Sequence, residues 1–312
     1  APEVLSELPD VVVACGDELP TDVPVFFDAC DAGFTVTPSE SIIPGDGCEQ
    51  VITRTWTAED DCGNTSTSDQ VITVITSTTT AFQLDMKVFL QGPTNPITGL
   101  MTDNLRSLPS FPLVEPFTIM GFNHTGNGGG EHIDPAVLTT FGENAIVDWI
   151  LVEVRDVNDA TIVLQSKSAL IQRDGDIVDV DGISSLTING VDASTMFISV
   201  RHRNHLCART AQVINIESLV TIDFSAPDFD VLGGTYAMTY VGGIKALVSA
   251  DASFDGQVNA VDKNSHWRLE NSSNVYYDYF MNHADFNLDG VTNAVDKNAQ
   301  WRPNNNKVEF VD

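Results

Sequence analysis

A nineteen-residue pattern occurs twice near the C-terminal end of the chain, and this duplication constrains the fold more than any other feature. The copies span residues 250–268 and 284–302, align without gaps at an offset of 34, and are identical at twelve of nineteen positions. A short internal repeat of this kind indicates a structural unit that is used twice. The sequence therefore predicts a small duplicated module over residues 248–312.

Each copy has the residue pattern of a twelve-residue calcium-binding loop. Ca²⁺ takes about six to eight oxygen ligands, and alternate residues of a tightly wound loop can aim carboxylate and carbonyl oxygens inward. Gly256 and Gly290 stand at loop position 6, where the sharp turn favours a residue without a Cβ. Asn259 and Asn293 stand at position 9, which usually acts through water. We predict two Ca²⁺ ions, and the predicted ligands at positions 1, 3, 5, 7 and 12 are Asp251, Ser253, Asp255, Gln257 and Asp262 in the first loop and Asp285, Asn287, Asp289, Val291 and Asp296 in the second.

Both loops end in Asp, where an EF-hand loop has Glu, and each is followed by a short segment, AVDKNSHW or AVDKNAQW. In these features the module resembles dockerins, which are duplicated loop–helix modules. The resemblance implies two short helices, with Trp267 and Trp301 in a small core, and either a cohesin-like receptor or a role as a cap on a neighbouring β-sandwich. Ser253 is a neutral ligand, so the first site should bind Ca²⁺ more weakly. The alternative is a pair of Asp-Gly turns without metal.

Residues 1–78 are predicted to form a small β-sandwich. Short β-rich runs, such as residues 10–15, 50–58 and 69–75, are separated by Pro, Gly and Asp clusters. Trp56 lies in the longest run and is the expected core anchor. Four of the five cysteines fall in this segment without any Cys-x-x-Cys spacing, which favours two disulfides in an oxidising compartment over a zinc site. Four cysteines allow three connectivities.

The same segment resembles the Ig-like, HYR-type repeats of large bacterial surface proteins. The resemblance rests on the run RTWTAEDDCGNTSTSDQVITV at residues 54–74, and on the positions of Cys15 and Cys30. It implies an Ig-like order of strands with the disulfides Cys15–Cys48 and Cys30–Cys62. Each bond would close a loop of about 30 residues and contribute roughly 3–4 kcal/mol on the chain-entropy argument.

Residues 79–247 are predicted to form a second β-sandwich. Val/Ile/Leu-rich runs, such as residues 82–90, 145–155 and 161–171, show no helical period. No H-E-x-x-H or G-x-S-x-G signature is present, so we expect no enzyme, with a hydrolase around Glu131 and His132 as the less favoured alternative. Through DWILVEVRD, ALIQRDGDIVDVDG and FISVRHRNHL this segment resembles a C-terminal region of surface proteins from gliding bacteria that use type 9 secretion.

Three polar features of this middle segment need an interpretation. His202 and His205 are three residues apart, so on one strand they would point to opposite faces and could not share a metal. Cys207 is interpreted as a lone buried thiol, with an intermolecular disulfide as the alternative. A candidate third calcium site, without the spacing of an EF-type loop, consists of Asp174, Asp176, Asp179 and Asp181.

The net charge of −29 excludes several classes of partner. Nucleic acid binding needs clustered Lys and Arg, and anionic membrane surfaces repel such a chain. No apolar run reaches the roughly 18–20 residues of a membrane-spanning helix, so no membrane insertion is expected. We expect an extracellular or cell-surface structural or adhesive protein: a stalk, filament subunit or surface anchor made rigid by calcium and disulfides. Its expected partner is a further copy of the chain, in a filament or tandem array, or another surface protein.

Overall fold

The computed structural model describes residues 1–14, 19–29, 33–75, 80–191, 193–273 and 278–311. The chain divides into two compact units, Ala1–Thr78 and Thr79–Asp312. The fold is mainly β, as the sequence predicted, and the segments 79–247 and 248–312 fall together in the second unit. No helix among the described residues combines the length and apolar character needed to cross a bilayer.

The first unit contains two sheets. A four-stranded sheet has the order β2-β6-β5-β4, in which β2 and β6 are parallel and the other pairs antiparallel, and β1 pairs with β3 in a separate antiparallel ribbon. The strands are β1 (Glu3–Ser6), β2 (Val11–Ala14), β3 (Val25–Phe27), β4 (Thr35–Pro44), β5 (Gln50–Glu59) and β6 (Thr65–Ile75).

Alternating side chains of β5 supply the core of the first unit. Trp56, which is only 3% exposed, and Ala58 pack with Phe26 of β3, so the ribbon and the larger sheet share one hydrophobic cluster. Ile52 of β5 packs with Ile72 of β6 in a second cluster. The predicted role of Trp56 as a core anchor is therefore confirmed, and the unit has the two-layer construction of a small β-sandwich.

A nine-stranded sheet dominates the second unit. Its main path is β11-β7-β10-β9-β8-β12-β13; β14 pairs with β12, β15 runs parallel to β7, and β16 and β17 form a separate hairpin. The strands are β7 (Thr80–Lys87), β8 (Ile146–Arg155), β9 (Val163–Gln172), β10 (Asp176–Val178), β11 (Leu186–Val191), β12 (Thr195–His202), β13 (His205–Arg209), β14 (Ile214–Asn215), β15 (Leu219–Asp223), β16 (Met238–Val241) and β17 (Ile244–Leu247). Short 3-10 turns occur at Leu105–Ser107, Pro135–Thr139 and Gly234–Tyr236.

All ten residues of β8 are buried, so this central strand is covered on both faces. Trp149 of β8 is fully buried, and its indole N–H donates to the Pro112 carbonyl at 3.0 Å, which ties the long segment between β7 and β8 to the sheet. An Asp inside such a strand needs hydrogen-bonding partners, because an unpaired buried charge is costly. Asp148 of β8 is that residue.

The two sequence copies form the C-terminal part of the second unit. Each has a loop followed by a helical segment with π-type geometry, Asp262–Trp267 or Asp296–Trp301, which continues into α1 (Arg268–Ser273) or α2 (Arg302–Asn304). Apolar residues of both copies share a cluster with Leu206 of β13, and Trp267 and Trp301 pack against that cluster. The predicted packing of the two tryptophans is confirmed, and the core that they join is shared with the sheet.

Candidate metal centre

The two predicted loops fold alike around the carboxylate at position 1. Asp251 accepts a hydrogen bond from the Gly256 N–H at 3.0 Å, and Asp285 accepts the equivalent bond from Gly290 at 2.8 Å. Both glycines have positive φ angles, 76° and 89°, where a side chain would be strained. Each loop therefore turns its backbone tightly around its first carboxylate, as a calcium loop requires.

Position 4 also has a left-handed backbone in both copies, although its residue is large and apolar. The φ angle is 59° at Phe254 and 55° at Leu288, which is uncommon for side chains with a Cβ. Leu288 is fully buried in the main core of the second unit, and the Phe254 ring lies 5.2 Å from the Phe122 ring. We call the part of the second unit up to residue 247, which contains its strands, the β-domain. Packing against the β-domain thus accompanies the strained conformation and fixes the winding of each loop.

The carboxylate at position 12 folds back across each loop from the first turn of its helix. In the first loop, Asp262 accepts the N–H groups of Ser253 at 3.0 Å and Asn259 at 2.7 Å. In the second loop, Asp296 accepts the N–H groups of Phe286 and Asn293, each at 2.8 Å. Both oxygens of the carboxylate are thereby oriented by the backbone of the loop.

The carboxylates at positions 1 and 12 are buried, with exposed fractions of 4% for Asp251, 1% for Asp285 and 0% for Asp262 and Asp296. Burial, helped by repulsion from Asp262, raises the pKa of Asp251 to about 7. Burial raises the pKa of Asp285 to about 7, and burial with repulsion from Asp285 raises the pKa of Asp296 to about 8. Ionised carboxylates that are this crowded and desolvated require a cation nearby. Their all-oxygen donor set fits Ca²⁺.

The other predicted ligands of the first loop lie in the same turn. The Ser253 hydroxyl donates to Asp262 at 2.9 Å, so position 3 contacts position 12. Asp255 is exposed and accepts the Gln257 N–H at 3.0 Å. Each loop therefore buries two carboxylates, those at positions 1 and 12, and the position-5 carboxylate is exposed in this loop but only partly exposed, as Asp289, in its twin.

The second loop is arranged in the same way with different side chains. The Asn287 amide donates to Asp289 at 2.9 Å, which joins positions 3 and 5. Asp289 also accepts the Val291 N–H at 3.0 Å, and the Val291 carbonyl accepts from the Asn293 amide at 3.1 Å. Calcium binding by these ten residues stays a prediction.

Each helical segment holds the loop of the other copy. The Trp267 indole N–H donates to the Asn293 carbonyl at 2.5 Å, and the Trp301 indole N–H donates to the Asn259 carbonyl at 2.7 Å. The Lys297 ammonium lies 4.4 Å from the Trp267 ring centroid, with an equivalent contact across the pair. These reciprocal contacts relate the copies by an approximate twofold axis.

One residue of the β-domain touches the start of both loops. Asn204, fully buried in the β12–β13 turn, donates from its amide to the carbonyls of Asp285 at 2.8 Å and His283 at 3.0 Å. The backbone carbonyl of Asn204 accepts the N–H groups of Ala250 at 3.0 Å and Asp251 at 3.2 Å. The position of each loop is thereby set by the sheet.

A buried charge cluster lies next to this turn. Asp148 accepts from Arg203 Nε at 2.9 Å, from the Tyr279 hydroxyl at 2.6 Å and lies 3.2 Å from His202 Nε2. Burial alone would raise the pKa of Asp148, but the Arg203 charge and the hydrogen bonds from His202 and Tyr279 hold it at about 2. Arg203 also donates to the Asn282 carbonyl at 3.3 Å, just before the second loop. The sequence interpretation missed this cluster, although an Asp within the apolar run IVDWILVEV was a signal for it.

The interpretation of the two neighbouring histidines was wrong. His202 and His205 do not point to opposite faces, because a two-residue turn separates them and makes them cross-strand partners. Their rings are 4.8 Å apart and their Nδ1 atoms 3.0 Å apart. Burial lowers the pKa of both imidazoles, most strongly that of His205, and His202 contacts Asp148.

The aspartates proposed as a third calcium site are engaged separately. Asp176 pairs with Lys87 at 2.7 Å and Asp179 with Lys167 at 2.6 Å, while Asp181 accepts hydrogen bonds within its own turn. Lysine partners on two different strands hold these carboxylates apart as ion pairs. They therefore do not form a calcium loop.

The structure does not bring Glu131 and His132, the residues of the hydrolase alternative, together in one site. Glu131 accepts backbone N–H groups from Gly129 at 3.0 Å and Ser168 at 3.1 Å. His132 is exposed, and within the described ranges no hydrogen bond or ion pair joins its side chain to Glu131. The two residues thus have separate structural surroundings.

The cysteines give a mixed result. Cys48 is disulfide-bonded, whereas Cys62 is free and exposed, so the predicted Cys30–Cys62 bond is not formed. Cys15 and Cys30 lie outside the described residues, and the pairing Cys15–Cys48 stays a prediction. Cys207 is free and 1% exposed, which agrees with a lone buried thiol and leaves no room for an intermolecular bond.

Comparisons with known proteins give one family match, which lies within the first unit, and two distant structural likenesses. Among solved structures, Drosophila N-cadherin EC1-4 is 12% identical over 71% of this chain and 49% of that chain, with a TM-score of 0.20. A Clostridium perfringens ZmpB structure, CBM51-2 in complex with GlcNAc and INT domains, is 10% identical over 81% and 50%, with a TM-score of 0.19. The chain thus spans about half the length of each, and neither likeness supports an argument. A comparison with curated proteins gives no match. Residues 6–74 match the family described as an HYR-like domain with 4 cysteines, so the first unit is similar to HYR-like domains.

Proposed function

We propose that the chain is an extracellular structural or adhesive segment, such as a stalk, filament subunit or surface anchor, and not an enzyme. Two Ca²⁺ ions, held by the ten loop residues named above, would neutralise the buried carboxylates of the second unit. The HYR-like match over residues 6–74 supports the extracellular assignment, since HYR-type repeats are found in surface proteins. Export by type 9 secretion is part of the proposal.

The observation that carries the proposal is the contact of Asn204 with the start of both loops. A freely tethered binding module would not need its loops to be hydrogen-bonded to the sheet. Because the loops, their core and the Asp148 cluster are continuous with the β-domain, each bound ion would stiffen the whole second unit. The proposed mechanism is therefore mechanical: calcium binding resists opening of the fold.

Thermal melting and limited proteolysis in Ca²⁺ and in EGTA test this proposal. An ion at about 100 times its dissociation constant contributes about 2.7 kcal/mol, so two ions should raise Tm by roughly 10–20 °C for a unit of this size. The double variant Asp262→Asn/Asp296→Asn should lose that response. The control Asp181→Asn removes a carboxylate from an exposed turn and should keep it. An unchanged Tm and proteolysis pattern in EGTA would overturn the calcium proposal.

Assembly with further copies, or with another surface protein, is supported by an exposed edge in the first unit. β4 ends the four-stranded sheet, and all ten of its residues are exposed, including Ile42 at 53% and Ile43 at 64%. An exposed edge strand presents unpaired backbone groups and can act as a template for strand addition. Electron microscopy of native material should show filaments that Ile43→Lys disrupts. Dispersed monomers in the native material would rule out the filament version.

A second candidate is a dockerin-like module that docks a cohesin-like receptor. The observation in its favour is that apolar side chains are exposed at the start of each helical segment and on α1, with Val261 at 45%, Val295 at 50% and Leu269 at 61%. Pull-down with a purified cohesin tests this function. Retention in Ca²⁺ that Val261→Lys/Val295→Lys abolishes would support it, and no retention of the native chain would reject it.

A further inference from the structure

Three residues with the chemistry of transition-metal ligands meet beside the second loop. His266 lies on the first helical segment, Glu270 lies four residues later on α1, and His283 lies just before the second loop. Nitrogen and carboxylate atoms of the three, one from each, all lie within 4.8 Å of one another. Glu270 Oε1 is 3.8 Å from His266 Nδ1 and 3.5 Å from His283 Nδ1.

Neighbouring groups orient the carboxylate toward the imidazoles. Glu270 Oε2 accepts the Ala284 N–H at 2.8 Å and the Thr292 hydroxyl at 3.1 Å. Its other oxygen, Oε1, is the one nearest to both histidines. Metal-binding carboxylates are commonly held in this way by hydrogen bonds to their second oxygen.

The distances suit a metal better than direct hydrogen bonds. Tetrahedral Zn²⁺, with ligands at about 2.0–2.1 Å, keeps its ligand atoms roughly 3.3–3.4 Å apart. The two carboxylate–imidazole distances of 3.5 and 3.8 Å exceed that spacing only slightly. Strong hydrogen bonds would bring the same atoms to about 2.7–3.2 Å.

The second copy supplies an internal comparison. At the offset of 34, the positions of His266, Glu270 and His283 correspond to Gln300, Asn304 and Ser249. These neutral residues form a closed network: the Ser249 hydroxyl donates to Gln300 at 2.8 Å, and the Asn304 amide donates to the Ser249 carbonyl at 3.0 Å and to Gln91 of the β-domain at 2.7 Å.

The approximate twofold axis therefore relates two sets of three residues with different chemistry. The Gln/Asn/Ser set is closed by hydrogen bonds among its members and to Gln91. The His/Glu/His set remains accessible, with exposed side-chain fractions of 26% for His266 and 30% for His283 and only 10% for Glu270. Two nitrogens and one oxygen with an open side fit a divalent cation that accepts imidazole, and they do not fit Ca²⁺, which takes oxygen ligands.

We propose that His266, Glu270 and His283 bind a transition-metal dication of the Zn²⁺ class, with water completing the coordination. The ion links the first helical segment to the residues that lead into the second loop. This site is distinct from the two proposed calcium sites, because its ligands and the class of metal that it would bind are different. Binding of this ion adds a cross-link between the two copies.

Calorimetric titration of Zn²⁺ into the full chain, saturated with millimolar Ca²⁺, tests the site. One saturable ion should bind, and Co²⁺ in its place should give the visible absorption of a low-coordinate N/O site. His266→Gln installs the residue that the second copy already has at this position, so the fold should tolerate it. This variant and His283→Gln should each weaken Zn²⁺ binding by about 100-fold or more, since even outer-shell groups are worth about 10–100-fold.

His132→Gln is the matched control, because it removes an exposed histidine outside the cluster. It should leave Zn²⁺ binding unchanged. The proposal is overturned if the native chain binds no Zn²⁺, or if His132→Gln weakens binding as much as His283→Gln does. Melting in Ca²⁺ and EGTA, measured on the same variants, reports separately on the calcium proposal, so failure of one is distinguishable from failure of the other.

Discussion

Replacing Asp148 by Asn should strongly destabilise the second unit. The side chain is fully buried and takes hydrogen bonds from Arg203 and Tyr279, with His202 beside it. Asn has nearly the same shape, so packing is retained while the negative charge is lost. The guanidinium of Arg203 would then remain in the interior without its counter-charge.

The magnitude follows from the burial of Arg203, which is 1% exposed. The guanidinium also contacts the Tyr279 ring, 4.4 Å away, and the Asn282 carbonyl, neither of which replaces a carboxylate. Its charge further interacts with Asp285, but that carboxylate is a predicted Ca²⁺ ligand and does not replace the hydrogen-bonded Asp148. Breaking a buried ion pair on one side costs about 3–5 kcal/mol. For a unit of this size that corresponds to a loss of roughly 6–20 °C in Tm.

Urea unfolding in saturating Ca²⁺, followed by circular dichroism, measures the effect. Asp176→Asn is the control, because its ion pair with Lys87 is also short, at 2.7 Å, but both side chains are more than a third exposed. Exposed pairs contribute at most about 1 kcal/mol. If Asp148→Asn costs no more than Asp176→Asn, the cluster does not hold the unit together and the reasoning fails.

Three further outcomes are expected. Burial raises the pKa of Asp296 to about 8. Because of this, the metal-free folded protein binds more protons than the unfolded chain between about pH 4 and pH 8. Urea unfolding in EGTA should therefore show that the free energy of unfolding falls as pH rises, and an increase would contradict this. At Gly92 an added Cβ would lie 1.7 Å from the Phe286 carbonyl oxygen, so Gly92→Ala should cost about 1–3 kcal/mol in the same assay, whereas a neutral result would show that the loop yields. A thiol reagent should label exposed Cys62 in the native protein, whereas Cys207, whose pKa burial raises, should react only after unfolding; native labelling of Cys207 would contradict its burial.

The loops were predictable because their geometry is local. A glycine at position 6 and carboxylates at positions 1 and 12 define a turn whose hydrogen bonds stay within twelve residues. The core role of Trp56 was predictable for a similar reason, since a large aromatic in an alternating strand needs a buried face. Sequence spacing alone was sufficient for these features.

Features that depend on distant chain segments were not predictable from spacing. The relation of His202 to His205 depends on a turn at Arg203 and Asn204, which the run RHRNH does not announce. The partners of Asp148 come from residues 202–203 and 279, far away in sequence. Only the general rule that a buried charge needs partners pointed toward them.

The approximate twofold axis explains why a duplicated loop is useful in this fold. Each helical segment begins at the carboxylate that closes its own loop and ends near a tryptophan that binds the other loop. A change in one loop would therefore reach the position-9 carbonyl of its twin through one short helical segment. Asn204 lies between the starts of both loops and ties that reciprocal pair to the sheet. Occupation of either loop would thus stiffen the other loop and the β-domain together, which neither copy could do alone.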